Sequence, residues 1–218
     1  LELCTVEFSG EQTEDVVCFG NRKIAIARDE AFNFMYRENV EALKRAGEVV
    51  FFSPLRDKSL PEADMVYFPG GYPELHLAEL AANEGMRQSV RKYCENGGRV
   101  LAECGGMMYL CDTITDGDGK VYPMAGVLKQ GATMEQMKLK LGYREVRVNG
   151  QRIRGHEFHY SRILPTNEKI PVIGTIYNAK DMVVDTPVYT YKNVLASYIH
   201  FYWGECGIDH FLMLMSQK

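Results

Sequence analysis

The hydrophobic pattern changes character once along the chain. In the first half, short continuous apolar runs alternate with longer mixed stretches. Lys23-Ile-Ala-Ile-Ala-Arg28, Glu48-Val-Val-Phe-Phe-Ser53 and Met65-Val-Tyr-Phe68 have the length and composition of buried strands. Between them, Glu38 to Ala46 reads as a helix closed by Gly47. One or two helices occupy roughly 74–96, and Asn96-Gly-Gly98 stops them. A further strand begins at Arg99, and Met107-Met-Tyr-Leu110 opens a helix after it. Strands alternating with helices predict right-handed crossovers and a parallel sheet covered on both faces.

After Asp112 the pattern turns to short β segments, around 122–128, 139–148, 155–161, 171–176 and 182–191. Their alternation and their Gly and Asn turns predict antiparallel pairing. Val194-Leu-Ala-Ser-Tyr-Ile-His200 returns to a buried strand, and Asp209 to Met215 reads as a closing helix. Residues 1–21 are polar and acidic in places and read as a linker or edge segment, with one domain over 22–218. The expected fold is α/β: a doubly wound, mostly parallel sheet with a flavodoxin-like core and an antiparallel β extension.

Composition narrows the partners. The chain has 218 residues, is 46% hydrophobic and carries a net charge of −4, so neither nucleic acid nor an anionic membrane is expected. No apolar run approaches a membrane span, and no signal peptide is visible. The six cysteines, at positions 4, 18, 94, 104, 111 and 206, fall in no Cys-x-x-Cys pair and no zinc spacing. They read as reduced, and the expected compartment is cytoplasmic. The first residue is Leu, which suggests a piece of a longer protein.

Arg99-Val-Leu-Ala-Glu-Cys-Gly-Gly-Met-Met-Tyr-Leu110 carries the chemistry. A strand that turns sharply into a helix through small residues presents the turn side chain, here Cys104, as a nucleophile elbow does. The helix N-terminus is expected to lower the thiol pKa and to offer N–H groups to a developing oxyanion. Ligands of such sheets bind outside the C-terminal ends of the strands. Gly70-Gly71, Cys104 and His200 all fall at strand ends and are expected to meet there. His200 is the expected base, and the backbone N–H groups of Gly71 and Gly105 the expected oxyanion donors.

These residues carry a resemblance. Ala102-Glu-Cys-Gly-Gly-Met-Met-Tyr-Leu110, Pro69-Gly-Gly-Tyr-Pro-Glu74 and His200 resemble the class I glutamine amidotransferases. Ala27-Arg-Asp-Glu-Ala-Phe-Asn-Phe34, Phe52-Ser-Pro-Leu-Arg-Asp57 and Gly155-His-Glu-Phe-His-Tyr-Ser161 are similar to one branch, the C-terminal domains of cobyrinic acid a,c-diamide synthases. The likeness runs from about residue 22 to 205. It implies hydrolysis of glutamine through a thioester on Cys104. The ammonia would pass to an N-terminal synthetase domain, where ATP and magnesium activate the carboxylates of a corrin or related tetrapyrrole. That domain is not in this sequence, which has no Gly-x-x-x-x-Gly-Lys-Ser/Thr loop and, on this reading, no cofactor or metal of its own. Paralogous domains serving nickel sirohydrochlorin or cobyric acid, and a non-catalytic docking domain, are the alternatives.

Many class I amidotransferases have a Glu two residues after the catalytic His; here Tyr202 stands there. The implied catalytic group is a Cys104–His200 dyad, with Glu157, Glu205 and Asp209 as candidates for a third member. On a β segment Glu157 and His159 share a face, opposite to His156, and border the pocket with Gly70 and Tyr202. That alternation argues against a metal site at His156 and His159. Glu103 is expected to be structural, paired with a cation. Arg28-Asp-Glu30 is read as a solvated cluster, as a holder of the loop beside the pocket or as a contact to the synthetase domain. His76 and His210 are read as surface residues.

Overall fold

The computed structural model describes residues 22–203. The segment 1–21, the helix expected at 209–215, Glu205, Asp209 and His210 lie outside the described residues.

The first half runs β1 (Lys23–Ala27), α1 (Arg37–Ala46), β2 (Glu48–Phe52), β3 (Met65–Phe68), α2 (Leu77–Ala82), α3 (Glu84–Glu95), β4 (Arg99–Glu103) and α4 (Gly105–Leu110). The second half is β: β5 (Cys111–Thr115), β6 (Val121–Pro123), β7 (Leu128–Thr133), β8 (Lys140–Val148), β9 (Gln151–His159), β10 (Arg162–Ile163), β11 (Thr175–Asn178), β12 (Val183–Val184), β13 (Val188–Tyr191), β14 (Val194–Ser197) and β15 (Ile199–Tyr202).

The central sheet has the order β13-β14-β4-β3-β1-β2, parallel throughout except for β13. Chain order reverses at β1, which lies between β2 and β3, so a crevice opens at the C-terminal ends of these strands. One face packs Ala25, Val66, Val100 and Ala102 against α2, α3, α4 and the four-stranded sheet β10-β7-β5-β6. The other packs Ile24, Ile26, Tyr67 and Leu101 against α1 and the five-stranded antiparallel sheet β12-β11-β8-β9-β15. Helices and sheets thus share both covers. Each fully buried large apolar side chain contributes roughly 1.5–3 kcal/mol.

Local chemistry explains the helices. α1 has no side-chain cap at Tyr36, but Glu38 in its first turn and Lys44 and Arg45 in its last complement the helix dipole. Its buried stripe is Asn39, Ala42, Leu43 and Ala46. α3 is capped by Asn83, whose side chain accepts the Met86 N–H.

The structure corrects the sequence reading in several places. α4 is only six residues long, and Cys111 already begins β5. Every residue from Gly105 to Leu110 is buried, so no amphipathic period marks the helix end. The segment expected at 122–128 is instead β6 and β7 joined by a turn, and β7 pairs with β5 in parallel rather than antiparallel. The segment read at 171–176 begins only at Thr175. The run 194–200 is not one strand: it breaks at Tyr198 into β14 of the central sheet and β15 of the antiparallel sheet. Ser197 makes the break, its hydroxyl accepting the Ile199 N–H (3.2 Å) and donating to the Pro187 carbonyl (2.8 Å).

Candidate active site

Cys104 sits at the turn from β4 into α4 with φ 46° and ψ −108°. Such a backbone costs a β-carbon-bearing residue roughly 1–3 kcal/mol and persists only when its surroundings hold it. The Cys104 N–H donates to the Ser197 carbonyl (2.7 Å), and its own carbonyl accepts the Met108 N–H (3.0 Å). A β-carbon on Gly105 would lie 2.7 Å from Pro73 Cδ, and one on Gly106 2.3 Å from the Phe68 carbonyl oxygen. The two glycines after the cysteine are therefore required by packing. Cys104 is 6% exposed, and its sulfur lies 3.8 Å from the Phe158 carbonyl oxygen.

The sulfur borders a cavity of about 310 Å³ lined by Phe34, Gly71, Tyr72, Cys104, His156, Phe158 and His200. A recess of about 30 Å³ shares Gly71, Tyr72, Cys104 and Phe158 with that cavity and adds Glu74, His159 and Ser161. Asp29 supports the near wall. One of its carboxylate oxygens accepts the N–H groups of Ala31 and Phe32, the other the Ser53 hydroxyl and the Leu55 N–H. This buried residue holds the loop beside the pocket, while Glu30 pairs with Arg56 at the surface. The loop in turn positions the glycine pair: Phe34 N–H donates to the Gly70 carbonyl and Tyr72 N–H to the Ala31 carbonyl, each at 3.0 Å.

His200 enters from the antiparallel sheet, directly opposite His156 in the β15–β9 register. Its place is set through Phe201, whose N–H donates to Glu103 (3.2 Å) and whose carbonyl accepts from the Asn39 side chain (2.7 Å). Asn39 also accepts the Trp203 N–H at 3.0 Å. The buried Asn on α1 and the buried Glu before the cysteine thus grip the segment carrying the histidine.

The electrostatics differ from the sequence expectation. Burial pushes the Cys104 thiol up to about 12, with the Glu74 carboxylate adding to the rise and the Gly105 N–H opposing it. A six-residue helix does not outweigh that desolvation. Burial, and then His156 and His159, push His200 down to about 3. At rest the cavity therefore holds a neutral thiol and a neutral imidazole.

Several expected roles are corrected. Among the described residues Glu103 meets no cation; Tyr67 donates to it at 2.8 Å, and burial raises its carboxyl to about 8. Glu157 and His159 do share a face, at 2.7 Å, but Glu157 is held by His159, Thr186 and Arg144, while His159 stacks on Tyr198 and faces the Ser161 carbonyl. His159 borders the recess; Glu157 lies behind it. Tyr202 packs edge-on against Tyr36 and does not line the cavity. Of the expected oxyanion pair, Gly71 lines the cavity and the Gly105 N–H points at the sulfur. Asn39, Phe34 and His156 were not foreseen as site residues. The visible signals were a lone Asn in the apolar stripe of α1, and the motifs 27–34 and 155–161 that contain Phe34 and His156.

Residues 23–206 match the family model described as CobB/CobQ-like glutamine amidotransferase domain. The chain is 37% identical over 191 residues to a cobyrinate a,c-diamide synthase of Salmonella typhimurium, covering 84% of this chain and 42% of that protein. It is 40% identical over 181 residues to a hydrogenobyrinate a,c-diamide synthase of Pseudomonas aeruginosa, covering 83% and 41%. A cobyrinate a,c-diamide synthase of Methanothermobacter thermautotrophicus is 39% identical over 199 residues, covering 86% and 43%. The chain therefore spans about two fifths of the length of these relatives. Among solved structures, a glutamine amidotransferase superposes with a TM-score of 0.58 at 24% identity, covering 89% of this chain and 99% of that one. PurLQS from Thermotoga maritima superposes with a TM-score of 0.54 at 17% identity, covering 83% and 87%. These two likenesses concern the fold. The elbow cysteine, the glycine pair and the histidine thus stand on a glutamine amidotransferase scaffold, and the chain belongs to the CobB/CobQ-like glutamine amidotransferase domain family.

Proposed function

We propose that this chain is the glutaminase domain of a cobyrinate or hydrogenobyrinate a,c-diamide synthase. The observation that carries the reading is one cavity lined by Cys104, Gly71 and His200, in a chain with relatives of that name at 37–40% identity. In the reaction, glutamine enters the cavity and the Cys104 proton passes to His200 as sulfur attacks the side-chain carboxamide carbon. The developing oxyanion meets the N–H groups of Gly71 and Gly105. Carbon–nitrogen cleavage takes the proton from His200 and releases ammonia, leaving a glutamyl thioester. Water, deprotonated by His200, then releases glutamate and restores the thiol. Such general acid–base transfer is worth roughly 10²–10⁴-fold. Because burial keeps both groups neutral at rest, the thiolate forms only as substrate is engaged.

The ammonia serves corrin carboxylates activated in the remaining portion of the longer protein. ATP and magnesium belong to that portion. Among the described residues, no helix is long and apolar enough to cross a membrane.

The test is covalent trapping with a glutamine-mimicking diazo-ketone, read by peptide mass spectrometry. The expected result is one adduct on Cys104, suppressed by glutamine and absent in His200→Ala. An unlabelled Cys104, even with the synthetase portion added in trans, overturns the reading. Adding cobyrinate or hydrogenobyrinate to that mixture and measuring amide formation tests the acceptor.

A further inference from the structure

His200 has no carboxylate partner among the described residues, and its Nδ1 is buried without a hydrogen bond. Glu103 is occupied by Tyr67 and the Phe201 N–H, and Glu157 by His159, Thr186 and Arg144. The ring is nevertheless held. His156 stacks on it with centroids 4.8 Å apart and planes 15° from parallel. Phe34 packs edge-on against both rings, at 4.6 Å to His200 and 5.7 Å to His156. His156 is itself fixed, its Nδ1 lying 2.5 Å from the Tyr36 hydroxyl. Tyr36 in turn is braced edge-on by Tyr202 at 5.5 Å and Phe34 at 6.3 Å. Both histidines line the cavity with Cys104.

We propose that His156, fixed by Tyr36, is the positioning residue of His200: it sets the imidazole plane by stacking, in the role a carboxylate plays in a triad. The inference rests on the glutaminase reading of Cys104 and His200. Its chemistry follows from the hydrogen bond. Burial and the nearby Glu103 favour the protonated Tyr36 phenol, and its hydroxyl shares a hydrogen bond with His156 Nδ1 that anchors the ring. Burial also disfavours the charged form of His156. A neutral, plane-locked ring beside His200 lets that residue accept the thiol proton without a second positive charge against it. The titratable groups around the pair are Tyr36 after β1, Glu103 and Cys104 at the end of β4, Tyr143 opposite His156 on β8, His159 on β9 and Tyr202 on β15.

The experiment measures the diazo-ketone labelling rate of Cys104 against pH in the wild-type chain, His156→Ala, His156→Phe and Tyr36→Phe, with imidazole NMR titration of His200 in each. The expected result is a fall of tenfold or more in His156→Ala, with the acid limb moving up and His200 titrating closer to an ordinary histidine. His156→Phe keeps a stacking ring and recovers most of the rate. Tyr36→Phe slows wild type but adds nothing to His156→Phe. If His156→Ala leaves both the labelling profile and the His200 titration unchanged, or His156→Phe is as impaired as His156→Ala, the proposal is overturned. If wild type labels nowhere even with the synthetase portion added in trans, the glutaminase reading fails instead, and the NMR titration still decides whether His156 governs His200.

Discussion

A β-carbon on Gly70 would lie 2.2 Å from Cε1 and 2.9 Å from Nδ1 of His200. The imidazole fills the space that a missing side chain leaves at the end of β3. Gly70 thus seats the imidazole, while Gly71 lines the cavity. Gly70→Ala is expected to push the ring off its position while leaving the sheet intact. A displacement of about 1 Å at a reacting group can cost ~10²-fold, and a loss of that order is expected in glutaminase rate or Cys104 labelling. Circular dichroism unchanged with labelling lost is the expected combination; unchanged labelling contradicts the steric account.

Cys104 at about 12 and His200 at about 3 describe a neutral pair across the physiological range. Alkylation of Cys104 by a small uncharged electrophile is therefore expected to rise with pH through the alkaline range, with no plateau between about pH 4 and 8. Such a plateau would reveal a resident thiolate–imidazolium pair. Glu74→Gln removes a negative charge that disfavours the thiolate and should speed alkylation several-fold at fixed pH.

Glu103 makes the fold more stable in mild acid. Its carboxyl is raised by burial to about 8 from 4.5, so the folded state holds a proton that the unfolded chain releases. Its contribution is present below the unfolded value and declines as pH rises through 8, at up to about 1.4 kcal/mol per pH unit within that window. Glu103→Gln should flatten this slope in urea denaturation series collected from pH 5 to 8.5. A wild-type profile without the slope would mean that the carboxyl is ionised in place.

Glu157 has the opposite sign. Burial pushes its carboxyl up, but hydrogen bonds from His159 and Thr186 and the charges of His159 and Arg144 outweigh this and hold it at about 2. Its stabilisation is complete above the ordinary carboxylate value and is lost as pH falls through 2. Glu157→Ala leaves Arg144 and His159 facing a void and should cost roughly 3–5 kcal/mol, read as a lower denaturation midpoint. Glu157→Gln should cost less, because it retains hydrogen-bonding partners for Thr186 and His159.

The Cys104 elbow could be read in the sequence because its information is contiguous: an apolar strand, one cysteine, two glycines and an apolar start to a helix, all within a dozen residues. Face assignments within one strand were equally legible, since side chains alternate; Glu157 and His159 do lie together. The alternation also placed His156 on the other face of β9, but did not reveal that this face looks onto His200. That depends on the break at Tyr198, where an unbroken buried run hides a change of sheet. The hydroxyl of Ser197 bonds locally and redirects the chain, so the histidine arrives beside β9 from a strand that no periodicity separates from its predecessor.

The kinds of groups in this protein and their local backbone were thus written into short stretches of chain: a parallel α/β core, an elbow cysteine, a glycine turn and a histidine. Which group faces which was settled by folding. Glu103 meets Tyr67, 36 residues away, and the N–H of Phe201, 98 residues away. Tyr36 meets His156 across 120 residues. Partners so distant in sequence share no local pattern; burial and the register between strands bring them together. The same burial reverses the expected charge state of the thiol, because desolvation depends on what surrounds a side chain in space and not on its neighbours along the chain.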